Sequence, residues 1–209
     1  MNKSDTEEAR VLLEELIAIG RFFHGRGWTP ATSGNFSART ENGTVYVTVS
    51  GKHKGELTPA DFLPLDESGR PLGGGKTSAE TPLHLMLYDL YPETRSVLHT
   101  HSAQATVLSR SLGGRPLEVE GYEVQKAFSG IDTHETSLSL PVFPNDQDVE
   151  RLARVVKKEL KEYQPCYGFL IEGHGLYAWG SSTAEARRHL EAFEFLFECE
   201  ILKRGAGLI

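Results

Sequence analysis

The chain has 209 residues, of which 39% are hydrophobic and 24% are charged, a composition typical of a soluble globular protein with one core. Its net charge of −7, without a large cluster of Lys and Arg, argues against a nucleic-acid partner. No run of residues approaches the roughly 18 apolar side chains that would span a bilayer, which argues against a membrane protein.

These properties favour a single domain over residues 1–209 that acts on a small anionic substrate. The first residues are polar and acidic, unlike a secretory signal or a transit peptide. Cys166 and Cys199 match no zinc-binding or redox spacing. We therefore expect a cytoplasmic protein.

The first part of the chain predicts one long helix followed by a β-rich region. Apolar residues at helical spacing predict a helix over 5–24. Two extended segments, 35–39 and 45–49, flank a turn signal and predict strands. Thr58, followed by a proline, is typical of a helix start. Residues 66–75 are rich in turn residues and are expected at the surface.

The rest of the chain alternates between helical and extended patterns. Helices are predicted over 81–91, 103–112, 122–128, 146–163 and 183–204. Strands are predicted over 96–100, 138–143, 169–172 and 176–179. This mixture predicts one sheet covered by helices on both faces.

Three histidines are candidate metal ligands. His99 and His101 alternate along a predicted strand, so both side chains point the same way, roughly 7 Å apart along the backbone. His174 lies in a predicted hairpin turn between Gly173 and Gly175, which allow close approach of another group. Three imidazoles would leave a coordination position open, as catalytic sites require. The alternatives are surface histidines at a strand end and a turn that happens to contain a histidine.

Glu80 and Glu123 are candidate acid/base residues. Glu80 directly precedes the predicted helix 81–91, where a carboxylate would also be stabilised by the helix dipole. Glu123 lies in the predicted helix 122–128 and could equally be a solvated side chain. At this point both alternatives stay open.

Two glycine-containing turns could bind a phosphate group. The segments Thr32-Ser33-Gly34-Asn35 and Ser50-Gly51-Lys52 offer backbone N–H groups, hydroxyls and a lysine, which can form anion sites. The segment Gly73-Gly74-Gly75-Lys76-Thr77 is similar to the end of a nucleotide-binding P-loop, but Arg70 stands where the motif needs its first glycine. This mismatch argues against a nucleotide.

In this order, five motifs together resemble the class II aldolase/adducin-head family. They are Thr32-Ser33-Gly34-Asn35, Ser50-Gly51-Lys52, Ser78-Ala79-Glu80, His99-Thr100-His101 and Gly173-His174-Gly175. The resemblance implies an α/β fold, a three-layer α/β/α sandwich with a central, mainly antiparallel sheet. It implies a homotetramer with active sites near subunit interfaces and a small sugar phosphate as substrate. It also implies one divalent metal ion per subunit, usually Zn²⁺, bound by His99, His101 and His174.

Within the family, residues 78–84, 99–102 and 173–197 are most similar to the sugar-phosphate dehydratases of methionine salvage. That similarity assigns proton transfer to Glu123 and a supporting role, orienting substrate or assisting, to Glu80. It assigns the phosphate to a set of small residues: Ser33, Gly34, Asn35, Ser50, Gly51 and Ser78.

Two alternatives remain within the family. Its aldolases use a glutamate at the position of Glu80, and a metal-stabilised enediolate serves both carbon–carbon cleavage and dehydration. The placement of the carboxylates then decides the reaction, so an aldolase is the second hypothesis. The adducin heads are non-catalytic modules, but there catalytic loss goes with loss of metal ligands, whereas this chain has all three histidines and both carboxylates.

Overall fold

A seven-stranded sheet lies in the middle of the computed structural model, which describes residues 3–66 and 68–207. Nine strands are present in the described residues: β1 (Asn35–Arg39), β2 (Val45–Thr48), β3 (Phe62–Pro64), β4 (Ser96–Thr100), β5 (Leu117–Val119), β6 (Leu138–Leu140), β7 (Val142–Phe143), β8 (Gly168–Ile171) and β9 (Gly175–Gly180). The main sheet has the order β3-β2-β1-β4-β9-β8-β7, and β5 pairs with β6 separately. Within the main sheet β7 and β8 are parallel and every other neighbouring pair is antiparallel, so the predicted mainly antiparallel sheet is confirmed.

Helices cover both faces of this sheet. They are α1 (Lys3–Gly25), α2 (Thr81–Leu90), α3 (Ala103–Leu112), α4 (Val149–Glu159) and α5 (Thr183–Gly205). Side chains alternate between the faces of a strand: Leu98 of β4 packs in a core with α1, α3 and α5, whereas Val97 packs with α2 and α4. The three-layer α/β/α sandwich predicted from the sequence is therefore confirmed. None of the described helices is long and apolar enough to cross a bilayer.

Helix ends follow the local sequence. Ser102 caps α3 by accepting a hydrogen bond from the backbone N–H of Ala105 at 2.9 Å, and Gly113 ends it with a left-handed φ of 58°. Asp148 and Ser182 cap α4 and α5 in the same way. The Ser102 cap begins α3 directly after β4, next to the histidine motif.

The predicted strand over 138–143 is wrong as a single element. Pro141 separates it into β6, which pairs with β5, and β7, which joins the main sheet beside β8. Proline has no N–H and cannot donate to a ladder, but the carbonyl of Pro141 still accepts from Leu170 N at 2.9 Å. The chain therefore changes sheets at this residue.

Two predicted helices are short 3-10 turns. The start at Thr58 leads only into Pro59–Asp61, because Asp61 folds back and accepts a hydrogen bond from the N–H of Thr58 at 2.9 Å. The segment 122–128 forms a 3-10 turn over Glu123–Ala127. The three-residue strands β3 and β5 were not predicted, since a strand this short shows almost no alternation.

Candidate metal centre

Strand pairing brings the three candidate histidines together. His99 lies near the end of β4 and pairs with Tyr177 of β9, and Thr100 pairs with Leu176. Continuing this antiparallel register beyond the ladder places the turn before β9, which contains His174, beside His101. The His101 ring centroid lies 4.5 Å from that of His99 and 4.5 Å from that of His174.

Glycine at position 175 makes this approach possible. A Cβ atom there would lie 1.9 Å from the carbonyl oxygen of Thr100, a distance that no real side chain tolerates. Gly34 has a similar role on the other side of β4: its φ is +78°, and a Cβ would lie 2.6 Å from the carbonyl oxygen of His99. Glycine thus permits the close backbone approach that the sequence predicted around His174.

Four donor groups converge at this point. Oε1 of Glu80 lies 2.7 Å from Nε2 of His174, and Oε2 lies 3.4 Å from Nε2 of His99. The Nε2 atoms of His99 and His174 are 3.3 Å apart. With His101 included, the four ligand atoms all lie within 4.8 Å of one another. Two nitrogen donors of a tetrahedral ion with bonds of about 2 Å are roughly 3.3 Å apart, so this donor set fits one divalent metal ion.

Hydrogen bonding and burial keep His99 in the form that binds metal, and burial keeps His101 neutral. The Nδ1 of His99 lies 2.9 Å from the carbonyl oxygen of Leu176; a carbonyl only accepts, so Nδ1 carries the proton and Nε2 keeps its lone pair. The His99 ring also stacks on Tyr177 with centroids 3.9 Å apart. Burial lowers the pKa of His99 well below its ordinary value and that of His101 to about 4. Both are therefore neutral at pH 7.

Glu80 carries the negative charge of the cluster. Burial raises its pKa, but His99, His174 and Asn35 lower it more, so the pKa is well below the ordinary value. Glu80 occupies the N-cap position of α2, yet its side chain makes no capping hydrogen bond. The carboxylate turns to the histidines instead, so capping the helix is not its role.

A cavity of about 370 Å³ opens beside the donor cluster. Glu80, His101 and His174 line it. Every residue expected at the phosphate lines the same cavity: Ser33, Gly34, Asn35, Ser50, Gly51 and Ser78. The structure therefore brings the donor cluster and the glycine-containing turns to one space.

Lys54 is the lysine that faces this cavity. Its side chain is buried, and Nζ donates to the backbone carbonyls of Thr32 at 2.9 Å and Lys52 at 2.6 Å. Burial lowers its pKa to about 8. The side chain of Lys52, which lies in the turn motif, forms an ion pair with Asp61 at 2.9 Å instead. Sequence spacing could not distinguish the two lysines, because burial of Lys54 depends on how the loop packs.

Glu123 lies away from this cluster within one chain. It begins a 3-10 turn whose residues Val124 and Ala127 pack on the core with α1, α3 and α5, the sheet face opposite α2 and α4. Its side chain is 71% exposed and pairs with Lys126 at 2.5 Å. Among the described residues, Glu80 is the carboxylate that joins the three histidines.

Comparison with known proteins shows which family the chain resembles along most of its length. The family model of the class II aldolase and adducin N-terminal domain matches residues 14–201. A methylthioribulose-1-phosphate dehydratase of Pseudomonas syringae pv. syringae is 54% identical over 192 residues, which cover 91% of this chain and 94% of that protein. A protein of the same name from Methylococcus capsulatus is 52% identical over 191 residues, 91% of this chain and 93% of its own.

A solved structure shares the fold. The L-fuculose-1-phosphate aldolase of Thermus thermophilus superimposes with a TM-score of 0.72 and 28% identity, covering 92% of this chain and 94% of that one. The match of the family model to most of the chain agrees with the motifs, the fold and the donor cluster. The chain belongs to the class II aldolase and adducin N-terminal domain family.

Proposed function

We propose that this protein is a metal-dependent dehydratase that converts 5-methylthioribulose-1-phosphate to 2,3-diketo-5-methylthiopentyl-1-phosphate in methionine salvage. The observation that carries the proposal is the cluster of Glu80, His99, His101 and His174 beside a cavity lined by phosphate-compatible turns. Two relatives named for this reaction share more than half of the aligned residues with the chain. The substrate is thus a small sugar phosphate.

His99, His101 and His174 hold the metal ion, which we propose to be one Zn²⁺ per subunit. Their imidazole nitrogens are suitable zinc ligands, and the low pKa values of His99 and His101 keep those two rings neutral at pH 7, the form that binds metal. A divalent cation there supplies Lewis-acid polarisation of the substrate's ketone and neighbouring hydroxyl.

The carboxylates transfer protons. Glu123 removes the proton from the hydroxyl-bearing carbon beside the ketone; the next carbon loses its hydroxyl, which leaves as water after an acid protonates it. The resulting enol becomes the second ketone. Glu80 orients the substrate or assists this transfer. Glu123 is not among the cavity-lining residues of its own chain, so its role requires a neighbouring subunit. We therefore include the homotetramer in the proposal.

The phosphate lies between the two glycine-containing turns. We propose Ser33, Gly34, Asn35, Ser50, Gly51 and Ser78 as its neighbours, with Lys54 as the cation. Two of the three N–H bonds of Lys54 are used by backbone carbonyls, which leaves one for a phosphate oxygen.

A second function is favoured by one observation. Glu80, the residue that the family's aldolases use as acid/base, lies in the donor cluster, whereas Glu123 does not. A class II sugar-phosphate aldolase that uses Glu80 is therefore the alternative. A non-catalytic module fits less well, because all three histidines and Glu80 converge.

The test is direct. The Zn²⁺-loaded protein is incubated with methylthioribulose-1-phosphate, and the products are followed by proton and phosphorus NMR. Formation of the phosphorylated diketone supports the dehydratase. Cleavage to dihydroxyacetone phosphate and an aldehyde contradicts it and favours the aldolase. A protein that never binds stoichiometric metal would be a non-catalytic module.

We propose one domain over residues 1–209, a cytoplasmic location, and neither a nucleic acid nor a membrane as partner. The net charge of −7 supports the absence of a nucleic-acid partner, because an acidic protein is repelled by a phosphate polymer.

A further inference from the structure

A line of buried polar side chains leads from the interior to Glu80. The hydroxyl of Tyr88 lies 2.8 Å from Oγ of Ser37, which lies 2.7 Å from Nδ1 of His84. Nε2 of His84 bonds to Oδ1 of Asn35, and Nδ2 of Asn35 donates to Oε2 of Glu80. These five residues form the Glu80 network. None of them was in the sequence-predicted site except Asn35 and Glu80.

The direction of each hydrogen bond follows from what each group can do. Oδ1 of Asn35 only accepts, so His84 carries its proton on Nε2. Nδ1 of His84 then accepts from the Ser37 hydroxyl, and Ser37 in turn accepts from Tyr88. Each donor in the network therefore points toward the carboxylate. Burial lowers the pKa of His84 to about 4, which agrees with a neutral ring at pH 7.

The fold places the network where two elements meet. Glu80, His84 and Tyr88 are four residues apart along α2 and share one side of that helix. Asn35 and Ser37 alternate along β1 and pair with His99 and Val97 of β4. The network thus joins α2 to the strand beside the metal donors.

Each buried polar group of the network has a hydrogen-bond partner. His84 and Ser37 are completely buried, and buried polar groups destabilise a fold unless each one is satisfied. Asn35, in contrast, lines the cavity, where its side-chain amide is free to turn toward a ligand unless another group fixes it. The bond from His84 fixes its amide, so that Nδ2 stays on Glu80.

We propose that His84 is a positioning residue that acts through Asn35 to hold the Glu80 carboxylate toward His99 and His174. The activity consequence rests on the proposed function, but the effect on the metal centre does not. A fixed anion 2.7 to 3.4 Å from two ligand nitrogens attracts a cation, so loss of the network weakens metal binding.

The matched variants are His84→Asn and His84→Gln in the full chain. The Gln amide nitrogen reaches the position of Nε2 and can still donate to Asn35, whereas the Asn side chain reaches only the position of Nδ1. Co²⁺ is titrated into each metal-free protein and followed by visible absorption. We expect His84→Asn to weaken Co²⁺ binding roughly 10- to 100-fold, the usual effect of losing an outer partner of a metal site. His84→Gln should recover most of that loss.

A double-mutant cycle with Glu80→Gln separates positioning from general damage. If His84 acts through Glu80, His84→Asn has no further effect on Co²⁺ binding once Glu80 is neutral. Equal losses in both backgrounds, or wild-type binding by His84→Asn, would overturn the proposal. If His84→Asn does not fold, Asn35→Ser breaks the next link and takes its place in the cycle. The cycle uses no substrate, so it stands or falls separately from the dehydratase proposal.

Discussion

Replacing Gly175 with alanine tests whether the hairpin turn must touch β4. The new Cβ would lie 1.9 Å from the carbonyl oxygen of Thr100, and real Cβ contacts are essentially never under 3.0 Å. The turn must therefore retreat by about 1 Å, and His174, the adjacent residue, moves with it. Overpacking of this kind costs about 1–3 kcal/mol of unfolding free energy. The free energy is measured by urea denaturation.

The displacement should matter more for metal than for stability. Metal–nitrogen bonds tolerate deviations of only about 0.2 Å, so a shift of this size removes His174 as an effective ligand. We expect Co²⁺ affinity to fall at least about tenfold, by comparison with losses caused by outer partners alone. Gly25→Ala is the matched control, because a Cβ at this last residue of α1 meets nothing within 4 Å. Wild-type Co²⁺ affinity in Gly175→Ala, or an equal loss in the control, would refute the steric argument.

Lys54→Met should raise KM for the phosphorylated substrate and weaken inhibition by inorganic phosphate roughly tenfold or more, whereas Lys52→Met should not, because Lys52 pairs with Asp61. The metal-free protein should lose stability as pH falls from 6.5 toward 4, because the unfolded chain protonates His84 and His101 while their pKa values of about 4 keep the folded rings neutral. Each ring contributes up to about 1.4 kcal/mol per pH unit, and buried Glu194, with its pKa raised to about 7, offsets one of the two contributions. Urea denaturation of the wild type and of His84→Gln at several pH values measures this, and an equal pH dependence of the two proteins would contradict it. Glu123→Gln should nearly abolish dehydration while bound metal stays stoichiometric, and unchanged turnover would exclude Glu123 as the proton-transfer residue.

Local patterns predicted the elements that carry the histidines. The strand over 96–100 and the helix over 103–112 match β4 and α3, because alternation and the Ser102 cap act over neighbouring residues. His99 and His101 could be paired from the same alternation, and the glycines around His174 indicated a close approach.

Features that depend on contacts between residues far apart in the chain were harder to predict from the sequence. The pairing of β7 with β8 decides where residues 138–143 divide, although Pro141 was a signal that could have indicated a break. His84 was recognisable as sharing a helix face with Glu80, but its partners Asn35 and Ser37 come from a strand more than 40 residues earlier. Which of Lys54 and Lys52 faces the cavity depends on how their loop folds, which the local sequence does not show. The exposed position of Glu123 likewise follows from packing on α5, which no local pattern encodes.

His99 stacks on Tyr177 and donates its Nδ1–H to the carbonyl of Leu176, so the fold itself holds this candidate ligand in place. In zinc fingers the ion organises the chain, and chelators unfold it. Here two apolar cores enclose the sheet, so we expect the donor cluster to keep its arrangement without a metal and the bound ion to be exchangeable. A chelator should leave the circular dichroism spectrum intact, and added Zn²⁺ or Co²⁺ should then restore binding. Imidazole sites accept several first-row ions, so cellular supply would help decide which ion the enzyme carries.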